Sequence, residues 1–124
     1  MSLTADNPDI QEFLAAWHET GRARFERDHS ALIYDEYAPK RAIQRRRFIA
    51  LNRVTGGRYL VERQTGVVYS IRAYGVANRP LGSLVALAAA YRRATASGIE
   101  LAEPGYVGAD HALRAAAMAE EGAR

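Results

Sequence analysis

The stretch GRYLVERQTGVVYSIRAY, Gly57 to Tyr74, decides the fold. Apolar and aromatic residues alternate on both sides of Gln64-Thr65-Gly66, which is the pattern of two β-strands joined by a tight turn. A three-residue loop Gln64-Thr65-Gly66, with Gly66 left-handed in a bulge, pairs Arg63 with Val67. Tyr59, Val61, Val67, Tyr69, Ile71 and Ala73 then form the core face, and Leu60, Glu62, Val68, Ser70 and Arg72 face outward. A two-residue Thr65-Gly66 loop sets Glu62 opposite Tyr69 and buries a carboxylate among apolar groups. That is costly, so the bulged register is preferred.

The surroundings of this hairpin are strongly basic. From Lys40 to Arg93 there are twelve basic side chains against the single acid Glu62, a formal charge of +11. Residues 1–39 carry eight acids against three arginines, or −5, and residues 94–124 carry five against two, or −3. Such blocks are informative where the total of +3 is bland. They predict either a polyanion-binding middle or acidic flanks folded over it and neutralising it. Sixteen of the seventeen basic residues are arginine, whose planar fork suits phosphate and stacks on bases, although a GC-rich coding sequence favours the same residue.

At 124 residues, 48% hydrophobic and 25% charged, the chain predicts one globular domain. It has no apolar run of membrane-spanning length, no basic-then-apolar leader and no cysteine. A cytoplasmic protein is the expectation. Asn7-Pro8 opens a helix over residues 8–28, with Ile10, Phe13, Leu14 and Trp17 on one stripe. Residues 31–37 are a helical turn, a short strand or an ordered connection. Lys40 to Arg47 is the densest cationic run, and it leads into a first strand at Arg46–Asn52. Gly56-Gly57 reverses the chain. Gly75 to Gly82 reads as a linker. Ser83 caps a helix to about residue 97 that covers the core face, with Arg92 and Arg93 in its last turn, where the helix dipole favours cations. Pro104-Gly105 marks a loop from which Tyr106 and Val107 could pack back on the domain. An alanine-rich helix over 109–121 follows. Its small side chains give little packing energy and leave it to fray, to dock on a partner or to form a homodimer. The expected fold is α+β: an N-terminal helix, a three-stranded antiparallel sheet within 46–74, a covering helix and a C-terminal helix.

The segment GRYLVERQTGVVYSIRAYGV, within residues 56–78, resembles small uncharacterised proteins of bacteriophages and other mobile elements. That resemblance implies a phage or mobile-element origin and no particular activity. Three antiparallel strands followed by a helix also look like the sheet-reading DNA-binding domains of some integrases and transcription factors.

No motif supports catalysis. His18, His29 and His111 lack the spacing of a helical metal pair, and Asp28-His29-Ser30 sets three catalytic residue types side by side where a triad needs convergence from a distance. Neither an enzyme, a cofactor nor a metal is expected. The sequence reading is a non-enzymatic nucleic-acid-binding accessory protein, DNA or RNA, with Arg41, Arg45, Arg46, Arg47, Arg58, Arg63 and Arg72 as contacts. Its rival is a protein-binding module: a phage or mobile-element inhibitor of a host defence or nucleic-acid-processing complex, or a virion component.

Overall fold

The computed structural model describes residues 2–26, 31–54 and 56–123. In chain order these form α1 (Pro8–Phe25), α2 (Ala31–Tyr37), β1 (Arg41–Gln44), β2 (Phe48–Arg53), β3 (Gly56–Glu62), β4 (Val67–Ala73), β5 (Val76–Ser83), α3 (Leu84–Ser97) and α4 (Val107–Gly122). The strands make one antiparallel meander in the order β1-β2-β3-β4-β5.

The α+β class stands, but the expected three-stranded sheet is corrected to five strands. Both additions are edge strands, and both have compositions that mask strand character. Arg41–Gln44 lies inside the cationic run, yet Arg41 and Ile43 alternate with Ala42 and Gln44 against β2. Val76–Ser83 holds Pro80 and Gly82, residues that a central strand excludes and an edge strand tolerates. β5 takes them up through irregular pairing with β4.

The hairpin register is corrected as well. Tyr59 pairs with Ser70, Leu60 with Tyr69 and Val61 with Val68, so four residues, Arg63 to Gly66, span the turn. Gly66 sits at φ +75° and its N–H donates to Glu62 O at 2.8 Å. Side-chain period in a strand is two, so this slip turns β4 over. Val68 and Ser70 point into the core, and Tyr69 and Ile71 point away from it. The feared cost of Glu62 does not arise. The carboxylate lies at the turn, accepts from Thr65 Oγ1 at 2.8 Å and pairs with Arg47 at 3.0 Å.

Ile49, Leu51, Tyr59, Val61 and Val68 form the inner face of the sheet, packed under Ile10, Phe13 and Trp17 of α1, Leu84, Leu87 and Tyr91 of α3, and Leu113 of α4. Tyr59 is fully buried, with the Phe13 and Trp17 rings each edge-on at 5.0 Å and its hydroxyl hydrogen-bonded to that of Tyr91. Burying each such ring contributes roughly 1.5–3 kcal/mol.

The caps follow the sequence. Asn7 Oδ1 accepts from Asp9 N–H at 2.8 Å, Ser83 Oγ accepts from Ala86 N–H at 3.1 Å, and Gly98 closes α3 in the left-handed region. The N-terminal helix is described to Phe25 and its cap Glu26, so Arg27 and Asp28, like the Asp28-His29-Ser30 triplet, lie outside the described residues. Tyr106 and Val107, expected to pack back, are exposed.

Candidate nucleic-acid interface

With α1, α3 and α4 on one side, the sheet's other side is left open. A transverse row of cross-strand partners runs over it: Ile43, Ala50, Leu60, Tyr69 and Pro80, one from each strand. Ala50 and Leu60 are buried there by their neighbours, outside the helix-side core. Phe48 stands beside the row, its ring perpendicular to that of Tyr69 at 6.2 Å, and the Arg47 guanidinium lies 5.1 Å from the Phe48 centroid. At the far end Tyr74 leans over Gly57, and its hydroxyl accepts from Asn52 Nδ2 at 3.3 Å and Arg45 Nη2 at 3.4 Å. Those two bonds, Asn52 first, hold the phenol below its ordinary pKa. The second amide atom of Asn52, Oδ1, is buried without a donor among the described residues.

The sequence-predicted arginines separate into two groups. Arg41, Arg45, Arg46 and Arg47 cluster on β1 and the β1–β2 turn and are all exposed. Arg41 shares the open face with Ile43 by strand alternation. Arg47 is tied to Glu62, yet its side chain is 74% exposed.

The other three lie elsewhere. Arg58 is the extra residue of a bulge, since Leu51 pairs with Tyr59 and Asn52 with Gly57. It turns to the helix side, where its Nε lies 3.9 Å from Glu103. Arg63 is a structural tie: Nε donates to Leu3 O at 2.8 Å and Nη1 to Arg46 O at 3.0 Å, fastening the N-terminal segment to the β1–β2 turn. Arg72 is exposed but alternates with Ser70, in phase with the helix side and not with Ile71.

The acidic flanks do fold over much of the basic block. Glu103 takes Arg53 at 2.9 Å, Asp110 takes Arg79 at 2.8 Å, Glu12 takes Arg92 at 2.6 Å, and Glu120 takes Arg93. Arg92 and Arg93 thus serve as bridges from α3 to α1 and α4. Among the described residues of the basic block, Lys40, Arg41, Arg45, Arg46, Arg63 and Arg72 make no ion pair, and Arg41, Arg45 and Arg46 of these belong to the β1–β2 hairpin. The +11 block therefore reaches solvent as a small cationic patch beside the open face.

Two features had no signature in the sequence. Glu103, from the segment before α4, accepts from Trp17 Nε1 at 3.0 Å as well as from Arg53. Beside it, Trp17 and Tyr34 help to wall a pocket of about 470 Å³ between α1, α3 and residues 98–106. No helix among the described residues is long and apolar enough to cross a membrane.

Comparison with protein-family models, with curated proteins and with solved structures finds no match for this chain.

Proposed function

We propose that the protein binds nucleic acid on the open face of its sheet, as a non-enzymatic accessory protein. The observation that carries this reading is the coincidence of the exposed Arg41, Arg45, Arg46 and Arg47 with the face bearing Phe48, Tyr69 and Tyr74. Phosphates take the arginines, and the rings supply stacking surfaces for unpaired bases, a combination suited to single strands. Arg58 and Arg63 leave the contact set, because the fold already uses them.

Fluorescence anisotropy of labelled single-stranded and duplex oligonucleotides, titrated across a salt series, tests the proposal. Four phosphate contacts give a slope of log affinity against log salt near −2.8 for a single strand, taking about −0.7 per contact. The Arg45/Arg46/Arg47 triple alanine variant should flatten that slope to about a quarter. Absence of binding at low salt sinks the proposal and leaves the face to a protein partner.

A further inference from the structure

The chain uses arginine at sixteen positions and lysine at one, Lys40. Residues of α1 and of the stretch from Tyr34 to Ala38 meet around that amine. Asp35 of α2 holds His18 of α1, with Nε2 to Oδ1 at 2.8 Å. A carboxylate accepts only, so His18 Nε2 carries the proton and Nδ1 keeps its lone pair. That lone pair faces Lys40 Nζ at 3.3 Å. The Arg22 guanidinium, 3.2 Å from the same Asp35 oxygen, and the His18 hydrogen bond keep the carboxylate ionised, and the latter is the larger cause of its lowered pKa. On its other sides Nζ donates to Tyr34 OH at 2.8 Å and Ala38 O at 2.7 Å, and it lies 4.7 Å from the Tyr34 centroid and 5.3 Å from that of Trp17. Those two rings also wall the 470 Å³ pocket.

We infer that Lys40 is a nucleophilic amine, activated by the Asp35–His18 pair, that captures aldehydes as an imine. His18 Nδ1 takes a proton from the ammonium. The freed nitrogen pair attacks the aldehyde carbon, and the carbonyl electron pair becomes a hydroxyl by accepting a proton, for which Tyr34 OH is placed. The nitrogen returns its second proton to the Tyr34 phenolate, the hydroxyl takes the proton held on His18 Nδ1 and leaves as water, and the remaining nitrogen electron pair forms the C=N bond of a protonated imine. One water is released, and nothing is oxidised or reduced. The Trp17 and Tyr34 rings beside the amine suit an aromatic aldehyde.

The electrostatics agree with this role. Burial first, then Arg53 of β2, pushes the Lys40 ammonium down to about 8, with Glu103 opposing. Against an ordinary lysine this raises the neutral share at pH 7 roughly two-hundredfold, of which lower basicity takes back a part.

The test uses the whole folded protein with benzaldehyde and cyanoborohydride, read by intact mass and peptide mapping over pH 6 to 11. The synthetic peptide of residues 36–44 is the reference. Lys40 should be alkylated at pH 7 at least about tenfold faster than the same lysine in the peptide, with a rate that levels off above pH 8 to 9. His18→Gln keeps a polar partner but no base, and should lower the rate. Circular dichroism of each sample confirms that folded protein is being read. A Lys40 that is inert in the folded chain, or that follows the peptide's profile, overturns the inference, as does a His18→Gln rate equal to the wild type. None of these readouts involves nucleic acid, so the inference and the proposed function fail separately.

Discussion

Removing the Glu103 carboxylate should cost more stability than any other change to a half-exposed side chain described above. It joins Trp17 Nε1, Arg53 and, more distantly, Arg58, and so ties α1 to the end of the sheet. Hydrogen bonds to a charged group contribute about 1.5–3 kcal/mol each when shielded. Glu103 is 34% exposed, as is Arg53, so solvent screening reduces their sum to roughly 2–3 kcal/mol for Glu103→Ala. Glu103→Gln keeps an acceptor for the indole and loses only the charge, at about 1 kcal/mol.

Trp17 is the chain's single tryptophan, and its fluorescence in urea reports the unfolding directly. With a slope of about 1.5 kcal/mol per molar urea, the midpoint should fall by roughly 1.5 M for alanine and 0.7 M for glutamine. The Lys40 amine should also drop further, since Glu103 is the charge that holds it up. If alanine shifts the midpoint by less than about 0.3 M, or if glutamine is as damaging as alanine, the junction is not a stabilising one.

Three further outcomes follow from the packing and charges. Gly82 lies at φ +143°, and an added Cβ would come 2.8 Å from Ala117 Cβ, so Gly82→Ala should cost roughly 2–4 kcal/mol in urea unfolding. Gly75→Ala, with positive φ but no neighbour within 4 Å, should cost only about 1 kcal/mol, and equal losses would refute the clash. The Tyr59 and Tyr91 phenols are raised chiefly by burial, so the unfolded chain releases their protons first and stability should fall as pH rises above about 10. Lys40, lowered in the fold, acts oppositely between about 8 and 10.4, and a thermal melting series should therefore show a late maximum, lost if neither group is buried as described. Arg63→Ala should lower the melting temperature and leave the salt slope of any oligonucleotide binding unchanged, whereas Arg45→Ala should do the reverse; a flattened slope in Arg63→Ala would return that residue to the contact set.

Helices were legible where periodicity and caps coincided. Asn7-Pro8, the Ile10–Trp17 stripe, Ser83 and Gly98 sit where local rules place them. The central hairpin was legible as strands but not in register, because Val67, Tyr69, Ile71 and Ala73 make the more apolar face of β4 and alternation alone turns that face inward. The fold instead buries Val68 and Ser70, with the Ser70 hydroxyl satisfied by the Arg79 backbone, and the turn decided between the two registers. The edge strands were hidden by their own chemistry, the cationic run around one and Pro80 in the other. The fate of the charges was illegible for a different reason. Arg92 and Glu12 lie 80 positions apart, and no local spacing announces such a pair. The same holds for His18, which meets Asp35 17 positions on and Lys40 22 positions on. The face of the arginines could be inferred only in the run 41–47, where their density exceeds what nearby acids can neutralise.

The position of the two edge strands bears on how this protein can meet anything else. β1 is four residues long with Arg41 at its start and Arg45 just beyond its end, and β5 carries Pro80 and repeated breaks in its ladder. Short length, cationic ends and a missing N–H are the devices by which sheets are kept from growing sideways into one another. Each flank of the meander is closed to strand-by-strand extension, so concentration alone should not drive the molecule into ribbons. What the edges leave exposed is the broad open side of the sheet, which presents side chains and not backbone.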